Sequence, residues 1–171
     1  RFQIGDEIIG MGQDCLRDVI VQNQVLLHHK PRSLSMAEGA TLPVVFCTVE
    51  LALHELVGLK RGERILIHAG AGGVGLTAIQ YAKRVGAYVF ATASEAKHEY
   101  LRDLGVDFVT TSRDASKFLQ DMRDVLGPNG TVDVVLNSLS HDEYIPYSLD
   151  LLSCTGRFVE IGKNGIWSPE E

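Results

Sequence analysis

The chain has 171 residues, is 45% hydrophobic and 22% charged, and carries a net charge of −6. That is enough for an ordinary domain with its own buried core, and the acidic balance argues against a nucleic-acid footprint, which needs a concentrated basic face. No apolar run is expected to approach the ~20 residues of a membrane span.

Residues 1–43 hold short β-like pieces, Asp6-Glu7-Ile8-Ile9 and Asp18-Val19-Ile20-Val21, among Gly5, Gly10 and Gly12. They read as the tail of a mostly β domain. No signal peptide is evident, and because the chain opens on Arg1 and not Met the native N-terminus is expected to lie upstream. Ser35 with Glu38 makes a capping box for a short helix. Residues 44–58 then read as a helix, with Phe46, Leu51, Leu53 and Leu56 among its apolar positions.

From Arg64 onward strands and helices alternate, which predicts an α/β domain with a doubly wound parallel sheet and helices on both faces. Strands are expected near 64–68, 87–92, 107–110, 132–136 and 157–161, and helices near 74–85, 95–104, 115–126 and 142–152. Gly86 and Gly105 stand where C-terminal caps belong. Gly127-Pro128-Asn129-Gly130 is a turn, and Ser140 with Glu143 makes a capping box for the last helix. The chain stops soon after the fifth strand, at Ser168-Pro169-Glu170-Glu171, where a doubly wound fold has a sixth strand. The expected organisation is therefore a β tail over 1–43 and a nucleotide-binding domain over 44–171, excised from a larger enzyme. Cys15, Cys47 and Cys154 are scattered and lack C-x-x-C spacing. They are expected to be reduced, mostly buried thiols of a cytoplasmic protein, with no disulfide and no metal.

The run Arg64-Ile65-Leu66-Ile67-His68-Ala69-Gly70-Ala71-Gly72-Gly73-Val74-Gly75 carries the most chemistry. Gly70, Gly72 and Gly75 fit G-x-G-x-x-G between a strand and a helix, the fingerprint of a dinucleotide site. Gly70 is expected to permit the tight turn, Gly72 to let a pyrophosphate approach the backbone, and Gly75 to let the helix pack close to the sheet. The helix N-terminus offers unpaired N–H groups and partial positive charge to phosphates. No Lys-Ser or Lys-Thr closes the run, so it is not a nucleoside-triphosphate loop.

An NAD-preferring unit places an acid at the end of its second strand, where this chain has Thr92-Ala93-Ser94. Without that acid a 2′-phosphate is not repelled. Ser94, Lys97 and Arg113 could cradle it, which favours NADPH over NADH. Each has a plainer reading as well: Ser94 as a helix N-cap, Lys97 and Arg113 as solvated surface charges.

With Asn137-Ser138-Leu139 and Glu160-Ile161-Gly162-Lys163 added to the glycine turn, nearly the whole chain resembles the enoyl reductase domain of modular polyketide synthases and animal-type fatty acid synthases. These are zinc-independent members of the medium-chain dehydrogenase/reductase superfamily. The resemblance begins at Gly5-Asp6 and Gly10-Met11-Gly12 and passes through Ala40-Thr41-Leu42-Pro43-Val44-Val45-Phe46 and Phe90-Ala91-Thr92-Ala93-Ser94. It implies a Rossmann-type domain preceded by part of a GroES-like substrate domain. It places Thr48 near the nicotinamide, Ala71, Gly72, Gly73 and Val74 along the pyrophosphate, and Ser94, Lys97 and Arg113 at the 2′-phosphate. Asn137, Ser138 and Leu139 would line the ribose and nicotinamide end, with Thr92, Ile161, Gly162 and Lys163 also on the cofactor. The chain departs from the family after Thr48, where Val49-Glu50-Leu51 replaces small and aromatic residues.

The implied reaction is hydride transfer from NADPH to the β-carbon of an enoyl thioester on an acyl carrier protein, followed by protonation of the α-carbon. Lys163 is the candidate proton donor. The family's other candidate groups, a tyrosine upstream and an aspartate downstream, lie outside this sequence, so the chain alone is expected to bind NADPH without turnover. Other domains of a multifunctional synthase are implied partners, and pairing through the sixth strand is implied in the complete enzyme. Glu160 reads as structural and His68 as a packing or hydrogen-bonding residue. His28, His29 and His54 have no partner at ligand spacing, so no zinc site is expected, and no G-x-S-x-G elbow is present. The competing readings are a stand-alone quinone or enone reductase and a non-catalytic nucleotide-binding scaffold.

Overall fold

The computed structural model describes residues 1–141 and 143–162, and the chain forms two compact units, Arg1–Thr48 and a second from Val49 on. In the first unit, β1 (Ile8–Gly10) and β2 (Leu27–His29) pair antiparallel, Ile8 opposite His29. The ladder's next bond runs from Lys30 N to Glu7 O at 2.9 Å. Asp18-Val19-Ile20-Val21 is not a strand, contrary to expectation, and Val19 and Val21 are exposed. β1 takes its partner from Leu27–His29, and residues 18–21 have no ladder to join.

The helix α1 (Met36–Val49) starts at the capping box expected there. Ser35 Oγ accepts from Glu38 N at 3.2 Å, and Glu38 Oε2 accepts from Ser35 N at 2.8 Å. It runs without a break into a π-helical stretch, Glu50–Leu56, so the two helices expected here are one. The widened turn is marked by Val57 N bonding Ala52 O, five residues back. This i→i+5 bonding makes the turn wider than the 3.6-residue turn of an α-helix, so positions an α-helical wheel would align fall out of line. Leu53 is buried, whereas Phe46, Leu51 and Leu56 are exposed.

Met36–Leu56 is thus 21 residues of helix with a mean hydropathy of 1.5 in its most apolar window, and 22% of that window is buried. By length and composition it reaches the threshold for a membrane span, which corrects the sequence expectation; a helix covered by protein meets the same threshold. The cysteine expectation is also corrected. Cys15, Cys47 and Cys154 are all free and exposed, standing in a loop, on α1 and in an irregular strand segment.

The second unit is a five-stranded parallel sheet in the order β5-β4-β3-β6-β7. Its strands are β3 (Arg64–Ile67), β4 (Tyr88–Ala93), β5 (Phe108–Thr111), β6 (Val132–Asn137) and β7 (Leu152–Glu160). Side chains alternate between two cores, as the two-residue strand period requires. Ile65, Ile67, Val89, Ala91, Val134 and Leu136 face one layer, holding α2 (Gly73–Val85) and α3 (His98–Asp103). Leu66, Phe90 and Val135 face the other, holding α4 (Ala115–Leu126) and α5 (Tyr144–Asp150).

Gly86, with φ +88°, caps α2, and Gly127, with φ +81°, caps α4, where the sequence placed a cap and a turn. The last capping box is corrected: Glu143 is itself the N-cap of α5 and makes no side-chain cap bond, so Ser140 lies outside the helix start. β7 begins earlier than expected because residues 152–156 pair irregularly, with Val132 opposite Leu152 but Val134 opposite Arg157.

Candidate functional site

The sheet order reverses between β3 and β6, so the crevice beyond their carboxyl ends is where an open parallel sheet holds a ligand. A cavity of about 230 Å³ lies there. It is lined by His68 and Ala69 from the end of β3, Gly72 to Gly75 at the start of α2, Leu136 and Ser138 at the end of β6, and Ile161.

The turn itself is built differently from the sequence expectation. The left-handed residue is Ala69, with φ +50°, and not Gly70. Gly70 is required by space: a Cβ there would lie 3.0 Å from Ala91 Cβ and 3.4 Å from Leu101 Cδ1. Gly75 meets the turn and not the sheet, since its Cβ would fall 2.5 Å from Ala69 O and 2.7 Å from Gly70 Cα. Gly72 is the exposed N-cap of α2, and a Cβ on it would meet only Ala69 O, at 3.3 Å. Gly72 N donates to Ala69 O at 2.9 Å and Leu76 N to Gly72 O at 2.8 Å. The N–H groups of Gly73, Val74 and Gly75 are the first of the helix and have no intrahelical acceptor. Such a set of N–H groups, reinforced by the helix dipole, suits an anion and is called the cradle below.

Behind the cradle the polar side chains are buried and paired. Thr92 is fully buried; its Oγ1 accepts from Ala69 N at 3.1 Å and meets His68 Nδ1 at 3.2 Å. Thr92 therefore holds the turn from beneath and is not among the residues that line the cavity. His68 Nε2 meets Ser148 Oγ at 2.8 Å, and the ring packs edge-on to Phe118 and Tyr144. Burial pushes the His68 pKa down to about 3, with a smaller effect from His141, so the imidazole is neutral.

Asn137 is likewise buried. Its Nδ2 donates to Leu139 O at 3.2 Å and Glu160 Oε2 at 2.5 Å, and its Oδ1 accepts from Leu139 N at 3.2 Å. Asn137 shapes the Ser138-Leu139 bend, leaving Ser138 on the cavity, and Leu139 packs into the α4–α5 core. Glu160 is structural, as expected, accepting also from Gly162 N at 2.5 Å. Ile161 N donates to Asn137 O at 3.0 Å, which brings Ile161 to the cavity wall. Ala71 and Val74 pack against the α2 side of the core.

At the far side of β4 the strand ends Ala93 and Thr111 lie side by side, and Ser112 N donates to Ala93 O at 3.0 Å. Ser94 and Arg113 follow these ends, and Lys97 closes the 3-10 turn Glu95–Lys97 that Ser94 caps. Ser94 makes no side-chain cap bond. Lys97 and Arg113 are exposed and form no ion pair among the described residues. Thr48 belongs to the first unit, where its Oγ1 donates to Val44 O at 2.8 Å. Lys163 lies outside the described residues. Sequence reasoning missed Leu136, which carries no polar signal, and Ser148, whose partner His68 is 80 residues away.

Residues 73–170 match the family model described as "Zinc-binding dehydrogenase". Zinc takes thiolate, imidazole and carboxylate donors in tetrahedral sets, and the cavity does not offer one: both His68 nitrogens are engaged and the cysteines lie on separate, exposed segments. A donor cluster among the described residues is Glu50, His54 and Glu55, exposed on the π-helical stretch. This corrects the expectation that His54 lacks partners at ligand spacing: its Nε2 is 4.0 Å from Glu50 and 3.9 Å from Glu55. Its Nδ1 is taken by the Tyr81 hydroxyl at 3.1 Å.

Erythronolide synthase EryA2 of Saccharopolyspora erythraea is 43% identical over 96% of this chain, which spans 5% of that protein. The crystal structure of CurK enoyl reductase superposes with a TM-score of 0.94 at 46% identity, over 99% of this chain and 51% of that one. The nucleotide-binding subdomain of the enoylreductase domain of PpsC from Mycobacterium tuberculosis is 41% identical, with a TM-score of 0.67, over 72% of this chain and 68% of that one. The chain thus belongs to the enoyl reductase domains of polyketide synthases, in the zinc-binding dehydrogenase family of the medium-chain dehydrogenase/reductase superfamily.

Proposed function

We propose that this chain is the NADPH-binding part of an enoyl reductase that reduces α,β-unsaturated acyl thioesters carried on an acyl carrier protein. The observation that carries the reading is the cavity at the β3–β6 divide, with three open N–H groups along one wall. These groups hold the diphosphate. Ser138 and Ile161 flank the nicotinamide end of the cavity. Bound there, the cofactor supplies a hydride to the substrate β-carbon. Lys163 follows the Ile161-Gly162 segment in sequence and delivers the proton to the α-carbon. Replacing Lys163 by alanine in the complete synthase tests this; unchanged kcat together with unchanged α-carbon stereochemistry removes it from the mechanism.

NADPH is favoured over NADH by the absence of an acid at the end of β4 and by the cations Lys97 and Arg113 beyond it, which form no ion pair among the described residues, with Ser94 beside them. Residues 1–43 are read as part of the substrate domain and 44–171 as the cofactor domain, within a cytoplasmic multifunctional synthase that pairs as a homodimer. Fluorescence titration of the 171-residue chain with NADPH and NADH tests the cofactor assignment. Lys97→Ala and Arg113→Ala should each weaken NADPH about ten-fold, the worth of one charge-assisted bond, and leave NADH unchanged. Equal effects on both nucleotides would overturn it.

A further inference from the structure

Resting on the reading that the turn before α2 binds NADPH, we infer that Thr92, His68 and Ser148 form a buried latch that holds Ala69 in its left-handed conformation and thereby positions the diphosphate cradle. Ala69 has a Cβ and a φ of +50°, a conformation that side-chain-bearing residues keep only when their surroundings impose it. Its two peptide groups are where the imposition occurs. Ala69 N donates to Thr92 Oγ1 at 3.1 Å, and Ala69 O accepts from Gly72 N at 2.9 Å while standing against Gly75. Turning Ala69 to a relaxed φ would swing that carbonyl, and the N-cap of α2 would go with it.

One hydrogen arrangement compatible with these contacts runs from the turn to α5. In it Thr92 Oγ1 receives the Ala69 N–H and gives its own hydrogen to His68 Nδ1. The other ring nitrogen then carries the proton and donates to Ser148 Oγ, 2.8 Å away on α5. His68 is fixed on its backbone as well: its N donates to Leu136 O at 3.0 Å and its carbonyl accepts from Ser138 Oγ at 3.3 Å. The latch therefore ties β3, β4, β6 and α5 to a single residue of the turn. Thr92, His68 and Ser148 are positioning residues, buried beneath the cradle.

The test compares NADPH affinity in Thr92→Val, Thr92→Ser and the double variant Ala69→Gly/Thr92→Val, each as the 171-residue chain. Valine keeps the shape and deletes the hydroxyl, and the latch predicts about ten-fold weaker binding. Serine keeps the hydroxyl and should stay within about two-fold of wild type. Glycine takes positive φ without help, so Ala69→Gly should restore binding to Thr92→Val. A merely structural role would lower the melting temperature without glycine rescue. Wild-type affinity in Thr92→Val, or a double variant as weak as Thr92→Val, overturns the latch. Should Thr92→Val not fold, a double variant that folds and binds supports the latch, and one that does not fold overturns it. If wild type itself binds no NADPH, the cofactor reading fails separately. The latch is then judged by amide exchange at Gly72, faster in Thr92→Val and slowed again by Ala69→Gly; no change overturns it.

Discussion

Gly75 and Gly72 stand three residues apart in one turn, yet alanine at each should fail in a different way. At Gly75 a methyl carbon would sit 2.5 Å from Ala69 O, 2.7 Å from Gly70 C and 2.7 Å from Gly70 Cα. All three are backbone atoms of a turn fixed by the Ala69 and Gly70 hydrogen bonds to Thr92, so none can move aside cheaply. Overpacking of this kind costs about 1–3 kcal/mol, which in a chain of this size lowers Tm by about 2–4 °C per kcal/mol. Gly75→Ala should therefore melt ~5 °C below wild type and bind NADPH poorly, because the displaced turn carries the cradle with it. At Gly72 the new methyl would meet only Ala69 O, at 3.3 Å, and the backbone (φ −83°, ψ 170°) suits any residue. Gly72→Ala should lose only ~1 kcal/mol as a poorer N-cap while losing NADPH affinity, its Cβ standing where the diphosphate approaches. Thermal melts by circular dichroism with parallel NADPH titrations read both quantities. Wild-type NADPH affinity in Gly72→Ala, or a wild-type Tm in Gly75→Ala, would refute the reasoning.

Three further outcomes are expected. The His68 pKa is about 3 in the folded chain against 6.5 for the free side chain, so the unfolded state binds the extra proton between those values. The contribution is complete above pH 6.5 and is lost at ~1.4 kcal/mol per pH unit as pH falls toward 3. The titratable groups facing the ring are His141 and Tyr144. Urea unfolding near pH 7 and pH 5 should therefore show ~2 kcal/mol more acid loss in wild type than in His68→Asn; parallel losses would refute it. Asn137→Ala removes two donated bonds and one accepted bond from a buried site and should cost about 1–3 kcal/mol in the same assay. Restoring an acid with Ala93→Asp should weaken NADPH more than NADH in a paired titration, because the new carboxylate repels the 2′-phosphate; no change in the ratio would argue against the 2′-phosphate site.

The parallel sheet was legible because strand and helix periods alternate cleanly from Arg64, and because Gly70 and Gly75 carry steric demands that spacing announces. Ala69 was not legible: nothing in an alanine signals positive φ, and the restraint on it comes from Thr92 and, through His68, from Ser148 on a distant helix. The same non-locality changed the reading of Thr92 and Asn137, whose polar side chains look available in sequence and are consumed by buried hydrogen bonds in the fold. Asp18-Val19-Ile20-Val21 is rich in β-branched residues like a strand, but pairing depends on a partner, and β1 pairs with Leu27–His29. Of the apolar positions named over 44–58 only Leu53 is buried, and from Glu50 a π-helical turn replaces the 3.6-residue period. Residues 152–156 fall between the helix expected to end near 152 and the strand expected from 157, and they join β7 through an irregular register.

The proposed cofactor site has a diphosphate resting on the open N–H groups of Gly73, Val74 and Gly75. Backbone amide chemical shifts of the 171-residue chain, followed during NADPH titration, test it directly. Saturable shifts are expected at those three amides, with smaller ones at Ser138 and Ile161. A folded chain that consumes NADPH binding sites elsewhere, or binds none, while those amides stay still would contradict it.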